Sequence, residues 1–172
     1  AVCCINYRLS DEAKWPLPLH DCKAAIRFLR GNAEKFHLDA ERIGVVGNSA
    51  GGHLAALLGT TNGKPEFEDL AMGYPEFSSS VQAVFTWFGV YDFVRWEQDW
   101  KETYPGRPFE REASAEAYFF GHALDPESPD LRDASPLFQL DGDTVPFYVE
   151  HGTGDHAVPY TQCVRFYNRY VE

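Results

Sequence analysis

The chain alternates between short apolar runs and stretches whose apolar residues recur every three or four positions. Short apolar runs are typical of buried strands, and the longer periodicity is typical of amphipathic helices. The predicted strands lie at residues 1–6, 43–47, 81–88 and 145–150, and the predicted helices at residues 19–30, 49–58, 113–120 and 159–170. Strands that alternate with helices in this way join through right-handed crossovers. The pattern therefore predicts an α/β fold with a mostly parallel sheet and helices on both faces.

The sharpest change of pattern lies in residues 43–58. There an apolar run ends at the motif Gly47-Asn48-Ser49-Ala50-Gly51, after which leucines recur at helical spacing. A G-x-S-x-G motif between a strand and a helix is typical of a nucleophile elbow. In such an elbow the serine occupies a strained turn and its hydroxyl projects clear of the backbone. We therefore predict unusual backbone angles at Ser49.

The neighbours of Ser49 fit the same interpretation. We expect Gly47 and Gly51 to leave room that a Cβ would fill, because a tight corner brings both against neighbouring elements. A helix that begins at Ser49 directs the N–H of Ala50 towards the place where negative charge develops on an attacked carbonyl, so Ala50 is the predicted oxyanion-hole donor. The alternative is a glycine-rich turn in which Ser49 only caps the helix.

Composition narrows the classes of partner. With 172 residues, 44% hydrophobic and 24% charged, the chain has the composition of one globular domain that buries a core. Its formal net charge of −11 argues against nucleic acid and against an anionic membrane surface, because a negative field repels both. No stretch is predicted to span a membrane. The cysteines show no metal or redox spacing and are predicted to be buried thiols, a disulfide being the alternative: Cys3, Cys4, Cys22 and Cys163.

The chain opens directly in an apolar run, without a methionine or a charged leader. Because a domain seldom begins in its central sheet, we expect residues 1–172 to be a partial domain that is truncated at both ends. The oligomeric state and the compartment, secreted or cytoplasmic, stay open.

Residues 90–135 interrupt the regular alternation. They hold many aromatic residues among acidic ones, including Trp96, Trp100 and Phe119. We predict a small cap insert with aromatic faces, and packing in the core is the alternative for these rings.

Three candidate reactive residues follow predicted strands: Ser49, Asp92 and Asp155. In an open parallel sheet, reactive groups collect at the carboxyl ends of the strands. A serine nucleophile needs a histidine to accept its proton and a carboxylate to orient that histidine. Asp155, in a glycine-rich turn, is the preferred acid, and Asp92 is the alternative acid or a helix cap. No metal-ligand spacing and no phosphate-binding loop occurs, so neither a metal nor a cofactor is predicted.

Four segments together resemble a known family: Asn-Tyr-Arg-Leu at residues 6–9, then residues 15–30, 42–55 and 151–159. They are similar to α/β-hydrolase esterases of the acetyl-esterase and feruloyl-esterase-like type, near hormone-sensitive lipase. The likeness covers nearly the whole chain and is weakest over residues 90–130. It implies a partial α/β-hydrolase catalytic domain that hydrolyses small-molecule carboxylic esters, with Ser49 as nucleophile and Asp155 as acid. Short acyl esters, such as acetyl or feruloyl groups on polysaccharide, are the implied substrates.

The sequence departs from this family in two places. Such esterases carry a His-Gly-Gly stretch that supplies further oxyanion amides and a catalytic histidine after the last helix seen here; neither occurs in residues 1–172. In the order Ser, Asp, His, only His156 follows Asp155, and it is too close to Asp155 to bridge to Ser49. His53 lies one turn along the helix of Ser49, directed away from the hydroxyl. We therefore expect the whole protein to be an esterase and this chain alone to be inactive.

Two other functions fit parts of the sequence. Serine peptidases of the prolyl-oligopeptidase kind share an H-G-x-x-D-x-x-V-P segment like residues 151–159, although Asn48, Ala50 and residues 6–9 favour the esterase. A non-catalytic module that binds a ligand or partner is the other alternative. An intact nucleophile corner argues against it, because a binding module has little use for a strained serine.

Overall fold

The structure, a computed structural model, describes residues 1–172. One parallel sheet contains three strands in the order β1–β2–β3: β1 Gly44–Asn48, β2 Ala83–Trp87 and β3 Phe147–Glu150. Val84 at the centre pairs with Val45 on one side and with Phe147 on the other. The predicted α/β fold with a parallel sheet is confirmed. Because all three strands run the same way, the segments that follow them begin at one edge of the sheet.

Eight α-helices accompany this sheet. Their bounds are α1 Leu17–Gly31, α2 Ala33–Phe36, α3 Ala50–Thr60, α4 Trp96–Thr103, α5 Ala115–Phe120, α6 Pro129–Asp133, α7 Pro136–Gln139 and α8 Tyr160–Val171. The long predicted helices are confirmed, although α1 begins two residues before the predicted Leu19 because Pro18 fits a first helical turn. None of these helices is long and apolar enough to cross a membrane.

The main core lies between one face of the sheet and helices α1 and α3. Alternate strand residues point into it, because side chains of a strand alternate between its two faces. Residues of α1 at helical spacing pack there against α3 and the sheet: Leu19, Cys22 and Ile26 with Leu54, Leu57, Leu58 and Val84. The central helix α3 is apolar on nearly all sides, and it is buried along most of its length.

The opposite face of the sheet is open. Val46 is 59% exposed and Tyr148 61% exposed, and Phe85 and Trp87 contact each other there. We predicted helices on both faces, and within residues 1–172 they cover only one. The reason is the strand order: both crossovers proceed in one direction across the sheet, and right-handed crossovers in one direction lie on the same face.

The strand predicted at residues 1–6 is not present. Residues 1–8 make no backbone ladder, and Val2 is 92% exposed, while Ile5 and Tyr7 alone pack against the core. An apolar run becomes a strand only when a neighbouring strand satisfies its N–H and C=O groups, and none lies beside it. Cys3 and Cys4, predicted to be buried, are exposed free thiols, whereas Cys22 is a buried thiol as predicted.

Residues 90–135 build a second hydrophobic cluster. It joins α4, α5 and α6 to the loop after β3 through Phe93, Trp96, Phe120, Leu131 and Val158. Core packing therefore accounts for Trp96 and Phe120, which are 1% and 6% exposed, whereas Tyr118 is 58% exposed. The cap insert stays a prediction.

Candidate active site

Ser49 occupies the turn between β1 and α3. Its φ of 51° and ψ of −124° lie in a region that a non-glycine residue seldom adopts, so the predicted strain is present. Its N–H donates to the carbonyl of Trp87 at 3.0 Å, which fixes the turn to β2. The side chain is exposed at the carboxyl edge of the sheet. The local geometry is therefore that of a nucleophile elbow.

The glycines around Ser49 have different roles from those predicted. A Cβ on Gly47 would lie 2.2 Å from the carbonyl oxygen of Gly51, so Gly47 is required by sterics. A Cβ on Gly51 would meet nothing within 4 Å, which corrects our expectation that this glycine also avoids a clash. Gly52 is the crowded residue on that side, because its Cβ would lie 3.0 Å from the carbonyl oxygen of Trp87.

Ala50 is the first residue of α3 and is exposed beside Ser49. The N–H groups in the first turn of a helix have no acceptor within that helix. The partial positive charge of the helix N-terminus adds to the attraction of such a group for an anion. The N–H of Ala50 is thus free to donate to an oxygen atom bound next to the Ser49 hydroxyl.

Asp155 lies in the loop that follows β3, at the same edge of the sheet. Its Oδ1 accepts from the N–H of Ala157 at 2.7 Å and of Val158 at 3.0 Å. Its Oδ2 lies 3.4 Å from Nε2 of His151. Burial acts to raise the pKa of Asp155, but the two N–H groups and His151 hold it below its ordinary value. Asp155 is therefore an anion whose Oδ2 can accept a further hydrogen bond.

Asp92, the alternative acid, is engaged elsewhere. It is 1% exposed, and its Oδ2 accepts from Nη1 of Arg165 on α8 at 2.8 Å. Burial raises the pKa of Asp92, an effect that Arg165 opposes. Neither Asp92 nor Asp155 itself lines the cavity at Ser49, so the ion pair with Arg165 is what distinguishes Asp92 from Asp155. The geometry of Asp92 is that of a partner in a buried ion pair.

No histidine of the chain hydrogen-bonds the hydroxyl of Ser49. His53 is 3% exposed, and its Nε2 bonds to the carbonyl of Ala134 at 2.7 Å. Burial lowers the pKa of His53 to about 4, so its ring is neutral. His151 is held by the carbonyl of Val158 through Nε2 at 3.0 Å. The Nε2 of His53 is therefore bonded to a main-chain carbonyl and not to Ser49.

A cavity of about 860 Å³ opens at Ser49. It is lined by Ser49, Ala50 and His53, and by residues from several other parts of the chain, among them residues 7–11, Phe93, Phe119, Ala157 and Val158. Asp155 itself does not line the cavity, but Ala157 and Val158 of its loop do, so the turn of Ser49 and this loop meet at one cavity. Nowhere do three or more His, Cys, Asp or Glu residues cluster in a way that could hold a metal.

Of two phenylalanines that line the cavity, Phe119 was named in the predicted cap insert, and Phe93 was not singled out from the sequence. Phe93 and Phe119 line the cavity, and both rings contact the His53 ring edge-on, with centroids 5.0 and 5.6 Å away. Phe93 is itself only 4% exposed and packs in one cluster with Trp96 and Phe120, so the aromatic richness of residues 90–135 did not separate rings that line the cavity from rings that only pack.

This chain is similar in sequence to known esterases. A model of the BD-FAE family matches residues 1–170. Esterase LipC of Mycobacterium tuberculosis is 34% identical over 166 residues, which are 96% of this chain and 39% of LipC.

Two solved structures match the fold and the sequence. A bifunctional GH43-CE protein of Bacteroides eggerthii has a TM-score of 0.86 and 38% identity over 96% of this chain and 24% of its own. A truncated carbohydrate esterase from gut microbiota has a TM-score of 0.85 and 34% identity over 96% of this chain and 59% of its own. The chain therefore spans less than two thirds of each of these proteins.

Proposed function

The chain belongs to the BD-FAE family of α/β-hydrolase esterases, and from this premise we propose that the whole protein hydrolyses carboxylic esters through an acyl-enzyme at Ser49. The single observation that carries this proposal is the cavity in which Ser49, strained and exposed at the end of β1, meets the loop of Asp155. Strain of this kind is retained at a site that uses it.

The proposed reaction gives each of these groups one role. The Oγ of Ser49 attacks the carbonyl carbon of the ester and gives its proton to a histidine, while the N–H of Ala50 donates to the oxyanion. The tetrahedral intermediate expels the alcohol, which takes that proton, and leaves an acyl group on Ser49. Water activated by the same histidine then releases the acid. Asp155 orients the histidine through Oδ2, which no main-chain N–H of the chain occupies.

We propose that this histidine is not among the six in residues 1–172, so the chain alone does not turn over esters. The supporting observation is that the best-placed rings have other partners: His53 bonds to Ala134 and His151 to Val158. The reaction requires no metal or cofactor. Ser49-dependent turnover by residues 1–172 would contradict this part of the proposal.

Esters carried on a carbohydrate are the proposed substrates. Two relatives with 38% and 34% identity are described as a GH43-CE protein and a carbohydrate esterase. A cavity of about 860 Å³ with the aromatic wall of Phe93 and Phe119 has room for an acyl group larger than acetyl. Comparing acetylated xylan oligosaccharides, methyl ferulate and p-nitrophenyl acetate therefore tests both the alcohol and the acyl group.

The test of the mechanism uses the whole protein and three variants. We expect S49A to lose about a millionfold in kcat and D155N about ten-thousandfold on p-nitrophenyl acetate. D143N is the matched control, because Asp143 lies in an exposed turn and should keep full activity. Turnover of a Gly-Pro anilide in preference to the esters would favour a peptidase, and full activity of S49A would refute the proposal.

A further inference from the structure

The loop that carries Asp155, residues 151–158, is here called the acid loop. Its own N–H groups fix one carboxylate oxygen of Asp155, but the main chain of the loop is also held from outside. The hydroxyl of Tyr104 donates to the carbonyl of Asp155 at 3.0 Å. Nη1 of Arg107 donates to the carbonyl of the next residue, His156, at 2.9 Å. Two consecutive carbonyls of the acid loop are thus held by one segment.

Three side chains of that segment contact one another. The side chain of Tyr104, just after α4, is only 7% exposed, and its ring meets Trp100 edge-on with centroids 4.8 Å apart. The guanidinium of Arg107 lies 5.2 Å from the Trp100 ring and 5.1 Å from the Tyr104 ring. Such cation–π contacts are attractive, so they favour this arrangement of the three side chains. Burial, and then the charge of Asp155, raise the pKa of Tyr104, so the hydroxyl remains a donor.

Helix α4 is anchored to the far end of the acid loop as well. Asp99 of α4 is fully buried and accepts from Nη1 of Arg165 at 2.9 Å and from Nε2 of Gln162 at 2.7 Å. Both partners lie on α8, which begins two residues after the loop ends. The acid loop is therefore held between β3, α8 and the segment that contains Tyr104.

We propose that Tyr104 is a positioning residue for Asp155, and that Arg107 supports it. The proposal rests on the proposed function, in which Asp155 orients a histidine. With the carbonyl of Asp155 held by Tyr104 and its Oδ1 held by Ala157 and Val158, rotation of the carboxylate is restricted and Oδ2 keeps one direction. An acid that orients the base acts on the transition state more than on substrate binding, so its displacement lowers kcat and leaves KM unchanged.

The chain offers a matched control. The hydroxyl of Tyr170 donates to the carbonyl of Val145 at 3.3 Å, which is the same kind of bond near the opposite end of β3. Y104F and Y170F each delete one such hydroxyl and keep the ring. A role in stability alone would affect the two variants alike.

The first measurement needs no activity. In the whole protein we expect Y104F to speed amide hydrogen exchange at Ala157 and Val158 roughly fivefold, the equivalent of one lost hydrogen bond, and Y170F to leave both rates unchanged. The second measurement is of turnover by the same variants. There we expect Y104F to lower kcat on p-nitrophenyl acetate roughly tenfold at unchanged KM, R107Q to have a smaller effect, and Y170F to have none.

The two measurements separate this proposal from the esterase mechanism. Exchange rates at Ala157 and Val158 that are equal in Y104F and the parent would overturn the positioning role whatever the activity. Faster exchange with an unchanged kcat would overturn its part in catalysis. If S49A keeps the full turnover of the parent, the proposed function fails, and the exchange rates still decide whether Tyr104 holds Asp155.

Discussion

Replacing Gly47 with alanine tests the packing of the nucleophile elbow most directly. The new Cβ would lie 2.2 Å from the carbonyl oxygen of Gly51, whereas ordinary contact begins at 3.4 Å. The two backbones would have to separate by the difference between these distances, about 1.2 Å. Backbone cannot yield as a flexible side chain does, so we expect a loss of about 3 kcal/mol in the free energy of unfolding.

The G51A variant is the matched comparison. Its Cβ meets nothing within 4 Å, and alanine is a better helix former than glycine by up to about 1 kcal/mol. Thermal unfolding followed by circular dichroism should show G47A melting roughly 6–12 °C below the parent and G51A melting at or slightly above it. In the whole protein, the displaced start of α3 should also cost G47A about a hundredfold in kcat. A G47A variant that melts with the parent, or a G51A variant that melts well below it, would refute this account of the motif.

Three further predictions concern the rest of the molecule. Burial lowers the pKa of His53 to about 4 in the folded chain, against about 6.5 in the unfolded chain. Between these values the unfolded chain binds a proton that the folded chain does not, so the free energy of unfolding is unaffected by His53 above pH 6.5 and falls as the pH is lowered towards 4. In urea titrations the H53Q variant should therefore lose about 3 kcal/mol less than the parent between pH 7 and pH 4, and equal losses would contradict a buried neutral ring. R165M removes the cation that pairs with two buried carboxylates, Asp92 and Asp99, and should cost about 3 kcal/mol at pH 7, measured the same way. The double variant D99N/R165M leaves only Asp92 without its partner and should therefore cost less. In residues 1–172, V46D on the open face of the sheet should change the free energy of unfolding by less than about 0.5 kcal/mol. V84D places a charge in the core and should prevent folding. Equal effects of the two variants would show that the open face is covered.

Much of the fold could be predicted from local pattern. The turn at Ser49 could be predicted from consecutive residues, because an apolar run, closely spaced glycines and a helical leucine repeat lie within a few residues of one another. The helices α1, α3 and α8 were predicted for the same reason. The place of Asp155 followed from one general property of parallel sheets, whose carboxyl ends share an edge. These predictions needed no knowledge of distant contacts.

Other features were decided only by tertiary structure. Residues 1–6 have the apolar pattern of a strand but no strand beside them, and pairing is a property of two segments. The open face of the sheet depends on strand order, which periodicity does not encode. Asp92 and Asp155 both follow strands, and only the fold shows that Arg165, 73 residues further on, pairs with the first. The hydroxyl of Tyr104 donates to the carbonyl of Asp155, which lies 51 residues further along the chain, and no local pattern predicts this bond. The sequence thus determined the chemistry available at each strand end, and the packing of distant segments decided which of those groups is held in a buried ion pair.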